Sequence, residues 1–173
     1  ELGVRSDLVA ALQAKGIETA FPIQAMTIHD ALAGRDVCGK AKTGSGKTLG
    51  FGLPMLQRVA DAPRSTSNIA TPRGLVLVPT RELAVQVHEV LEPLGDAMGL
   101  HTVALYGGAD IEKQIRQLKK GCDIAVATPG RLIDLGDRGE ISVGELDVLV
   151  LDEADRMADM GFMPQVEWVL RRI

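Results

Sequence analysis

The stretch Ala41-Lys-Thr-Gly-Ser-Gly-Lys-Thr48 decides the fold of this chain, because it combines a glycine-rich turn with a lysine and a hydroxyl group. Gly44 and Gly46 allow the main chain to turn its N–H groups around a phosphate, and a helical pattern begins near Lys47. Lys47 would then reach the β- and γ-phosphates, and the Thr48 hydroxyl would bind Mg²⁺. The alternative is a simple turn between a strand and a helix, but Lys47 and Thr48 favour phosphate binding.

Five short apolar runs around this stretch predict strands. Most are nearly continuous in apolar residues, as expected for a parallel sheet that is covered on both faces. The runs are residues 36–40, 74–78, 102–105, 123–127 and 148–151. Strands that alternate with helices through short connections predict an α/β fold with helices on both faces of the sheet.

The segments between these runs carry helical patterns. Apolar residues repeat at helical spacing across 83–98 and again across 111–118, where Gly121 follows as a stop. The first 35 residues are also helical in pattern and should pack onto the sheet. Residues 61–72 are polar and contain two prolines, which predicts a loop.

A pair of acids follows the last apolar run. Asp152 and Glu153 come directly after residues 148–151, at the carboxyl end of a predicted strand. There Asp152 can hold Mg²⁺ through water, and Glu153 can take a proton from an attacking water. Acids also gather at helix N-termini without any catalytic role. Because Lys47 precedes a phosphate-binding turn in the same chain, nucleotide hydrolysis is the favoured interpretation.

Composition and charge exclude several other classes of protein. Of the 173 residues 46% are hydrophobic, and the formal charge is -4, from 19 Lys and Arg against 23 Asp and Glu. This negative net charge argues against nucleic-acid binding driven by the overall charge of the protein, but it permits a local cationic groove. No apolar run approaches the roughly 18 residues of a membrane span, and no signal-peptide pattern is present. We therefore expect a cytoplasmic protein without a membrane partner.

The cysteines and histidines do not have the spacing of metal ligands. Cys38 and Cys122 are far apart and lie in apolar runs, so both are predicted to be buried thiols. His29, His88 and His101 are scattered along the chain and are predicted to be structural or solvated.

The segment Asp152-Glu-Ala-Asp155 spells DEAD and resembles the signature of the DEAD-box RNA helicases. Five further stretches resemble motifs of that family and follow in the family's order. They are 16–24 for the adenine-reading Q motif, 41–48 for motif I, 79–83 for motif Ia, 107–108 for the GG doublet and 128–131 for motif Ib. The resemblance spans nearly the whole chain, and Ala41 is the usual first residue of the family's motif I.

The resemblance implies the N-terminal RecA-like domain of an ATP-dependent RNA helicase. The implied fold is an α/β P-loop three-layer sandwich with a mainly parallel sheet, in which residues 1–173 form one domain and 1–35 pack on it. The implied cofactors are ATP and Mg²⁺. Residues that match the family's nucleotide site are Gln24 at the adenine edge and Ala41, Thr43, Gly44, Ser45, Gly46, Lys47 and Thr48 around the phosphates.

The resemblance also implies roles for the acids and for a set of RNA-binding residues. Asp152 and Thr48 would hold the metal, Glu153 and Lys47 would serve catalysis, and Asp155 would couple the site to a second RecA-like domain. The residues expected along the RNA backbone are Pro79, Thr80, Arg81, Gly107, Gly108, Thr128 and Arg131. Hydroxyls, main-chain N–H groups and guanidinium groups bind phosphates without reading bases, so little sequence specificity is expected.

The RNA-binding set also has a purely structural interpretation. Thr80 and Thr128 follow predicted strands and could cap the helices after them, while Arg81 and Arg131 could be surface charges. The GG doublet could be only a turn.

The chain departs from the family pattern at several points. Ile17 stands where an aromatic is common and Ala20 where proline is usual, which leaves the loop before Gln24 less rigid. The family's adenine-stacking aromatic would fall before residue 1. Neither a Ser-Ala-Thr motif nor a second RecA-like domain follows within residues 156–173. We expect the parent protein to hydrolyse ATP and remodel or locally unwind RNA, and this chain alone to bind nucleotide with little or no turnover.

Two other functions stay open at this point. A nucleotide-responsive RNA-binding or scaffold module would need no catalytic base, so Glu153 favours an enzyme. A DNA-directed relative with the same two-domain motor is the third hypothesis, against which the Gln24 motif and the DEAD segment argue by resemblance alone.

Overall fold

The computed structural model describes residues 2–42 and 44–173. Thr43, assigned above to the phosphate loop, lies outside the described residues. The described helices are α1 (Ser6–Gln13), α2 (Pro22–Leu32), α3 (Lys47–Asp61), α4 (Arg81–Ala97), α5 (Ile111–Leu118), α6 (Pro129–Asp137), α7 (Ala154–Asp159) and α8 (Met163–Leu170). The described strands are β1 (Gly74–Leu77), β2 (Thr102–Leu105), β3 (Ile124–Ala127) and β4 (Val148–Leu151).

The four strands form one parallel sheet in the order β2-β3-β1-β4. Leu77 at the end of β1 is in register with Ala127 on one side and with Leu151 on the other. Leu105 at the end of β2 is also in register with Ala127. Because all four carboxyl ends are level, the residues that follow the strands emerge along one edge of the sheet.

The sheet is covered on both faces, and β1 shows why its sequence is continuously apolar. Leu75 and Leu77 pack in a core with α5, α6 and α8, whereas Val76 and Val78 pack in a second core with α3 and α4. All four side chains are fully buried. Successive side chains of a strand point to opposite faces, so a strand between two helical layers needs apolar residues at every position. The predicted three-layer α/β fold is confirmed.

Helix boundaries follow from short polar residues beside the strands. The Thr80 hydroxyl accepts a hydrogen bond from the Leu83 N–H at 3.3 Å and caps α4. The Asp110 carboxylate accepts one from the Glu112 N–H at 2.9 Å and caps α5. Such caps satisfy N–H groups that the first turn of a helix leaves without partners. The structural interpretation of Thr80 is therefore confirmed.

The N-terminal helices pack against the helices that cover one face of the sheet. α2 contacts α3, and α1 contacts α4. Leu8 of α1 and Ile28 of α2 are buried in the core with α3 and α4. The loop after α3 is confirmed as well, with an isolated bridge from Ala70 to Ile141. Among the described helices, none has the length and apolarity that crossing a membrane requires.

One predicted strand and one predicted buried thiol are wrong. Residues 36–40 are exposed and irregular, and they pair with no strand in the described part of the chain. Only Val37 and Cys38 are apolar there, so the segment has little to bury, and an unpaired strand leaves its N–H and C=O groups without partners. Cys38 is consequently exposed. Cys122, next to β3, is buried as predicted.

Candidate nucleotide and nucleic-acid site

The phosphate loop leads directly into α3. Gly44 and Gly46 have positive φ angles of 79° and 80°, a conformation that side chains other than glycine rarely adopt. The Ser45 N–H donates to the Lys42 carbonyl oxygen at 3.2 Å. The Ser45 hydroxyl is buried and has no hydrogen-bond partner among the residues that the structure describes. A phosphate oxygen would give this buried hydroxyl a hydrogen-bond partner.

Gln24 holds the phosphate loop against α2. Its side chain is only 4% exposed. The carboxamide oxygen accepts from the Phe21 N–H at 2.9 Å, and the amide nitrogen donates to the Gly46 carbonyl oxygen at 3.0 Å. A carboxamide has two N–H groups and two lone pairs, so one donor and one acceptor remain for an adenine edge. The structure therefore places the predicted adenine-binding residue in contact with the phosphate loop.

Close packing against Gln24 and Phe21 explains why residue 46 is a glycine. A β-carbon built on Gly46 would collide with the Gln24 amide and with the ring of Phe21. Gly44, by contrast, has open space at the same position. Glycine is needed at residue 46 for packing as well as for its backbone angle.

Asp152 and Glu153 follow β4, at the carboxyl edge of the sheet. Glu153 has φ 52° and ψ 47°, and among the described residues it is the one non-glycine with positive φ. Its N–H donates to the Asp152 carboxylate at 3.0 Å, and its own carboxylate accepts from the Arg156 guanidinium at 3.2 Å. Strained backbone of this kind persists only where the surrounding structure holds it, and it is concentrated at functional sites.

The pKa of Asp152 depends both on its neighbour Glu153 and on Lys47 at the start of α3. Burial raises the pKa of the Asp152 carboxyl, and the neighbouring Glu153 carboxylate adds to that rise. The Lys47 ammonium and the hydrogen bond from the Glu153 N–H act in the opposite direction and lower this pKa. Lys47 at the start of α3 is thus close enough to Asp152 to affect its charge.

The chemistry of Thr48 and Asp152 fits a magnesium ion. Both would supply oxygen ligands, which Mg²⁺ prefers, and this ion commonly takes its remaining ligands from water and from substrate phosphates. Within residues 2–42 and 44–173, no three His, Cys, Asp or Glu side chains converge on a point that could hold a metal.

A groove of about 430 Å³ lies along the same edge of the sheet, beyond β1 and β3. Five of the seven residues predicted to contact RNA line it, together with neighbours from α6 and Phe162. The lining residues are Pro79, Arg81, Gly107, Thr128, Pro129, Gly130, Arg131, Asp134 and Phe162. The level carboxyl ends of the strands bring most of these segments together, because each of them except Phe162, which precedes α8, follows a strand or lies in the helix after one.

The two remaining members of the predicted set lie beside the groove. Thr80 caps α4, and Gly108 accepts a hydrogen bond from the Arg81 guanidinium at 3.1 Å through its carbonyl oxygen. Thr128 precedes α6 but its side chain makes no capping hydrogen bond, so the hydroxyl is not engaged in that role. Asp155, predicted to couple two domains, is exposed and accepts from the Arg156 N–H at 2.9 Å.

Sequence reasoning missed three residues at this site. The Arg81 guanidinium lies over the Tyr106 ring, 5.1 Å from the ring centre. Arg156 forms an ion pair with Glu153. Gln114 of α5 is 4% exposed and contacts Arg131. A signal for Gln114 was present, since it is an amide on the apolar face that Ile111 and Leu118 define. The contacts of Tyr106 and Arg156 had no comparable signal, because they depend on side-chain packing.

A profile of the DEAD/DEAH box helicase family matches residues 21–173, which include the phosphate loop, both acids and the whole groove. The chain belongs to the DEAD/DEAH box helicase family. The predicted family resemblance is therefore confirmed.

Curated DEAD-box relatives match the entire chain. It is 44% identical over 173 residues to the mitochondrial DEAD-box ATP-dependent RNA helicase 9 of Arabidopsis thaliana, covering 100% of this chain and 28% of that protein. It is 43% identical over 174 residues to the ATP-dependent RNA helicase RhlB of Shigella dysenteriae, covering 100% of this chain and 41% of that protein. The chain thus spans well under half the length of these relatives.

Solved DEAD-box structures have the same fold. The yeast DEAD-box splicing factor Prp28 superposes with a TM-score of 0.89 at 36% identity, over 99% of this chain and 41% of that one. The RNA helicase Prp28 from Chaetomium thermophilum, solved with ADP bound, has a TM-score of 0.89 at 36% identity over 98% of this chain and 41% of that one.

Proposed function

We propose that this chain is the ATP- and RNA-binding N-terminal domain of an ATP-dependent RNA helicase that remodels or locally unwinds RNA. The observation that carries the proposal is the shared edge of the sheet. The acid pair and the groove lie at the carboxyl ends of parallel strands, where open α/β sheets bind ligands, and Lys47 at the end of the phosphate loop is close enough to Asp152 to affect its charge. A nucleotide and a nucleic-acid backbone would therefore meet on one rigid element.

The protein would bind the nucleotide both at its adenine base and at its phosphates. Gln24 would meet the adenine edge with its remaining donor and acceptor, and the glycine turn would place main-chain N–H groups around the phosphates. Lys47 would neutralise charge on the β- and γ-phosphates. Mg²⁺, held by Thr48 and Asp152, would supply further charge neutralisation at the transferred phosphoryl group when bound.

Glu153 would act as the base for the attacking water. Glu153 is the second residue after β4, and its N–H donates a hydrogen bond to the Asp152 carboxylate at 3.0 Å. The ion pair with Arg156, at 3.2 Å, fixes the direction of the Glu153 side chain. A base must be held within hydrogen-bonding reach of the water it deprotonates, so a fixed orientation is what this role requires.

The groove would bind RNA through its sugar-phosphate backbone. Besides the Asp134 carboxylate, which pairs with the Arg138 guanidinium at 2.9 Å, its polar groups are two guanidinium groups, a threonine hydroxyl and main-chain groups at Gly107 and Gly130. These groups bind phosphate oxygens and carry little base information, so binding should depend weakly on RNA sequence. A second RecA-like domain in the full-length protein, approached through Asp155, is part of the proposal, since the relatives are much longer than this chain.

Matched substitutions in the full-length protein test the proposal. Glu153→Gln should keep ATP affinity and lose RNA-stimulated hydrolysis by about 10² or more. Lys47→Ala should lose ATP affinity, whereas Lys42→Ala, which removes an exposed cation of the same loop, should not. Unchanged hydrolysis in Glu153→Gln would rule out Glu153 as the base, whereas absence of RNA-stimulated hydrolysis in the wild-type protein would indicate a binding module. Equal stimulation by RNA and single-stranded DNA would contradict the RNA assignment.

A further inference from the structure

Gln114 is a buried amide on an otherwise apolar helix face. It is 4% exposed, and within the described residues the only other polar or charged side chain with such burial is Gln24. Its neighbours on the same face, Ile115 and Leu118, belong to the core beneath the sheet. Burying an amide without hydrogen-bond partners is unfavourable, so the hydrogen bonds of Gln114 explain why it is tolerated there.

Both ends of the Gln114 carboxamide have a partner in the groove. The amide nitrogen donates to the Tyr106 carbonyl oxygen at 3.0 Å, and the oxygen accepts from the Arg131 guanidinium at 2.9 Å. A second nitrogen of the same guanidinium donates to the Ala109 carbonyl oxygen at 3.1 Å. Gln114 therefore joins the segment after β2 to the first turn of α6.

The segment of residues 106–109, which contains the GG doublet, is held by guanidinium groups on both sides. Arg81 lies over the Tyr106 ring at 5.1 Å and donates to the Gly108 carbonyl oxygen at 3.1 Å. Arg131 and Gln114 hold the segment from the α6 side. These contacts hold Arg81, residues 106–109 and Arg131 in fixed positions relative to one another, although the three come from separate parts of the sequence.

We propose that Gln114 is a positioning residue for RNA binding, which orients Arg131 and the GG doublet as one unit. The inference rests on the proposed function of the groove. Two N–H groups of Arg131 are used by Gln114 and Ala109, and a guanidinium has five, so the others are left in a fixed direction for a phosphate oxygen. Holding the arginine before RNA arrives avoids part of the entropy loss of ordering it on binding.

Only an amide satisfies both partners of this site. The Tyr106 carbonyl needs a donor and the Arg131 guanidinium needs an acceptor. Methionine at residue 114 has similar length but supplies neither, and an ionised glutamate keeps the acceptor but loses the donor. Gln114→Met and Gln114→Glu therefore remove different parts of the same bridge.

The test measures binding of mixed-sequence single-stranded RNA to the full-length protein with a non-hydrolysable ATP analogue. Gln114→Met should weaken RNA binding by about tenfold and leave ATP affinity unchanged. The plot of log affinity against log salt concentration has a negative slope. If Arg131 loses its phosphate contact, the magnitude of this slope should decrease by about 0.7. Arg131→Ala should lower the slope equally, and the double variant should add nothing further. The matched control, Gln117→Met, changes an exposed amide on the same helix and should behave as wild type.

Each result decides between a positioning role and a packing role. Weaker binding by Gln114→Met with an unchanged salt slope, or additive effects with Arg131→Ala, would overturn the proposal, because packing alone does not remove a phosphate contact. If Gln114→Met does not fold, Gln114→Glu carries the test, and wild-type RNA affinity in that variant would overturn the proposal. If Arg131→Ala binds RNA as tightly as wild type, the proposed role of the groove fails as well, which separates the two failures.

Discussion

The side-chain amide of Gln24 donates a hydrogen bond to the Gly46 carbonyl oxygen at 3.0 Å, which joins α2 to the glycine-rich loop before α3. Gln24 also receives the Phe21 N–H at 2.9 Å and so fixes the start of α2. Its proposed contact with adenine and its observed contact with the loop are distinct, and they can be separated experimentally.

Gln24→Ala should weaken ATP binding by about tenfold, because an adenine contact and a support of the loop are both lost. It should also weaken the binding of inorganic triphosphate, which has no base, since the loop loses its hydrogen bond at Gly46. Titration calorimetry with both ligands measures the two effects, and Gln13→Ala on α1 is an exposed control. Unchanged triphosphate affinity would show that Gln24 does not support the loop.

Gly46→Ala should be more harmful than Gly44→Ala, although both residues have nearly the same positive φ. Each alanine carries a backbone penalty of about 1–2 kcal/mol. Only the methyl group at residue 46 meets Gln24 and Phe21, which adds a packing penalty of about 1–3 kcal/mol in the free energy of unfolding. Urea denaturation of the two variants measures the difference. Equal losses of stability would contradict the observed close approach.

Asp152→Asn should stabilise the folded protein at neutral pH while it impairs metal-dependent hydrolysis. Burial raises the pKa of Asp152 above its ordinary value of 3.8, so the folded state takes up a proton more readily than the unfolded state. The charged carboxylate therefore lowers stability at neutral pH, and this effect disappears as the pH falls through the raised pKa towards 3.8. Asparagine avoids the charge and can still accept the hydrogen bond from the Glu153 N–H.

Denaturation of wild type and Asp152→Asn between pH 4 and pH 8 tests this sign. The stability advantage of the variant should be greatest at the upper end of the range and smallest at the lower end. An advantage that grows as the pH falls would mean that Lys47, rather than burial, dominates the environment of Asp152.

Arg81→Lys should weaken RNA binding about fivefold even though the charge is kept. Lysine cannot reproduce the planar contact with the Tyr106 ring together with the hydrogen bond to the Gly108 carbonyl oxygen. Fluorescence anisotropy with single-stranded RNA measures the effect. Arg116→Lys on α5, where the side chain is 66% exposed, is the matched control. Equal affinities for the two variants would assign Arg81 the role of a diffuse charge.

The sequence by itself determined the four strands of the sheet, and it identified the glycine turn before Lys47 and the acid pair after β4 as the candidate nucleotide site. Strands buried on both faces must be apolar at each position, as β1 is, and a glycine turn before Lys47 has few other uses. It misjudged residues 36–40, because a strand depends on a neighbouring strand as well as on its own composition. Cys38 was misjudged for the same reason.

Only the tertiary structure decided how the site is connected. Gln24 and Gly46 are 22 residues apart in sequence, and Gln114 and Arg131 are 17 apart, yet both pairs are joined by hydrogen bonds. Local patterns report which face of a helix or strand is apolar, but they do not report which buried amide meets which carbonyl group. That pairing depends on the parallel register that levels the strand ends and brings distant segments into one groove.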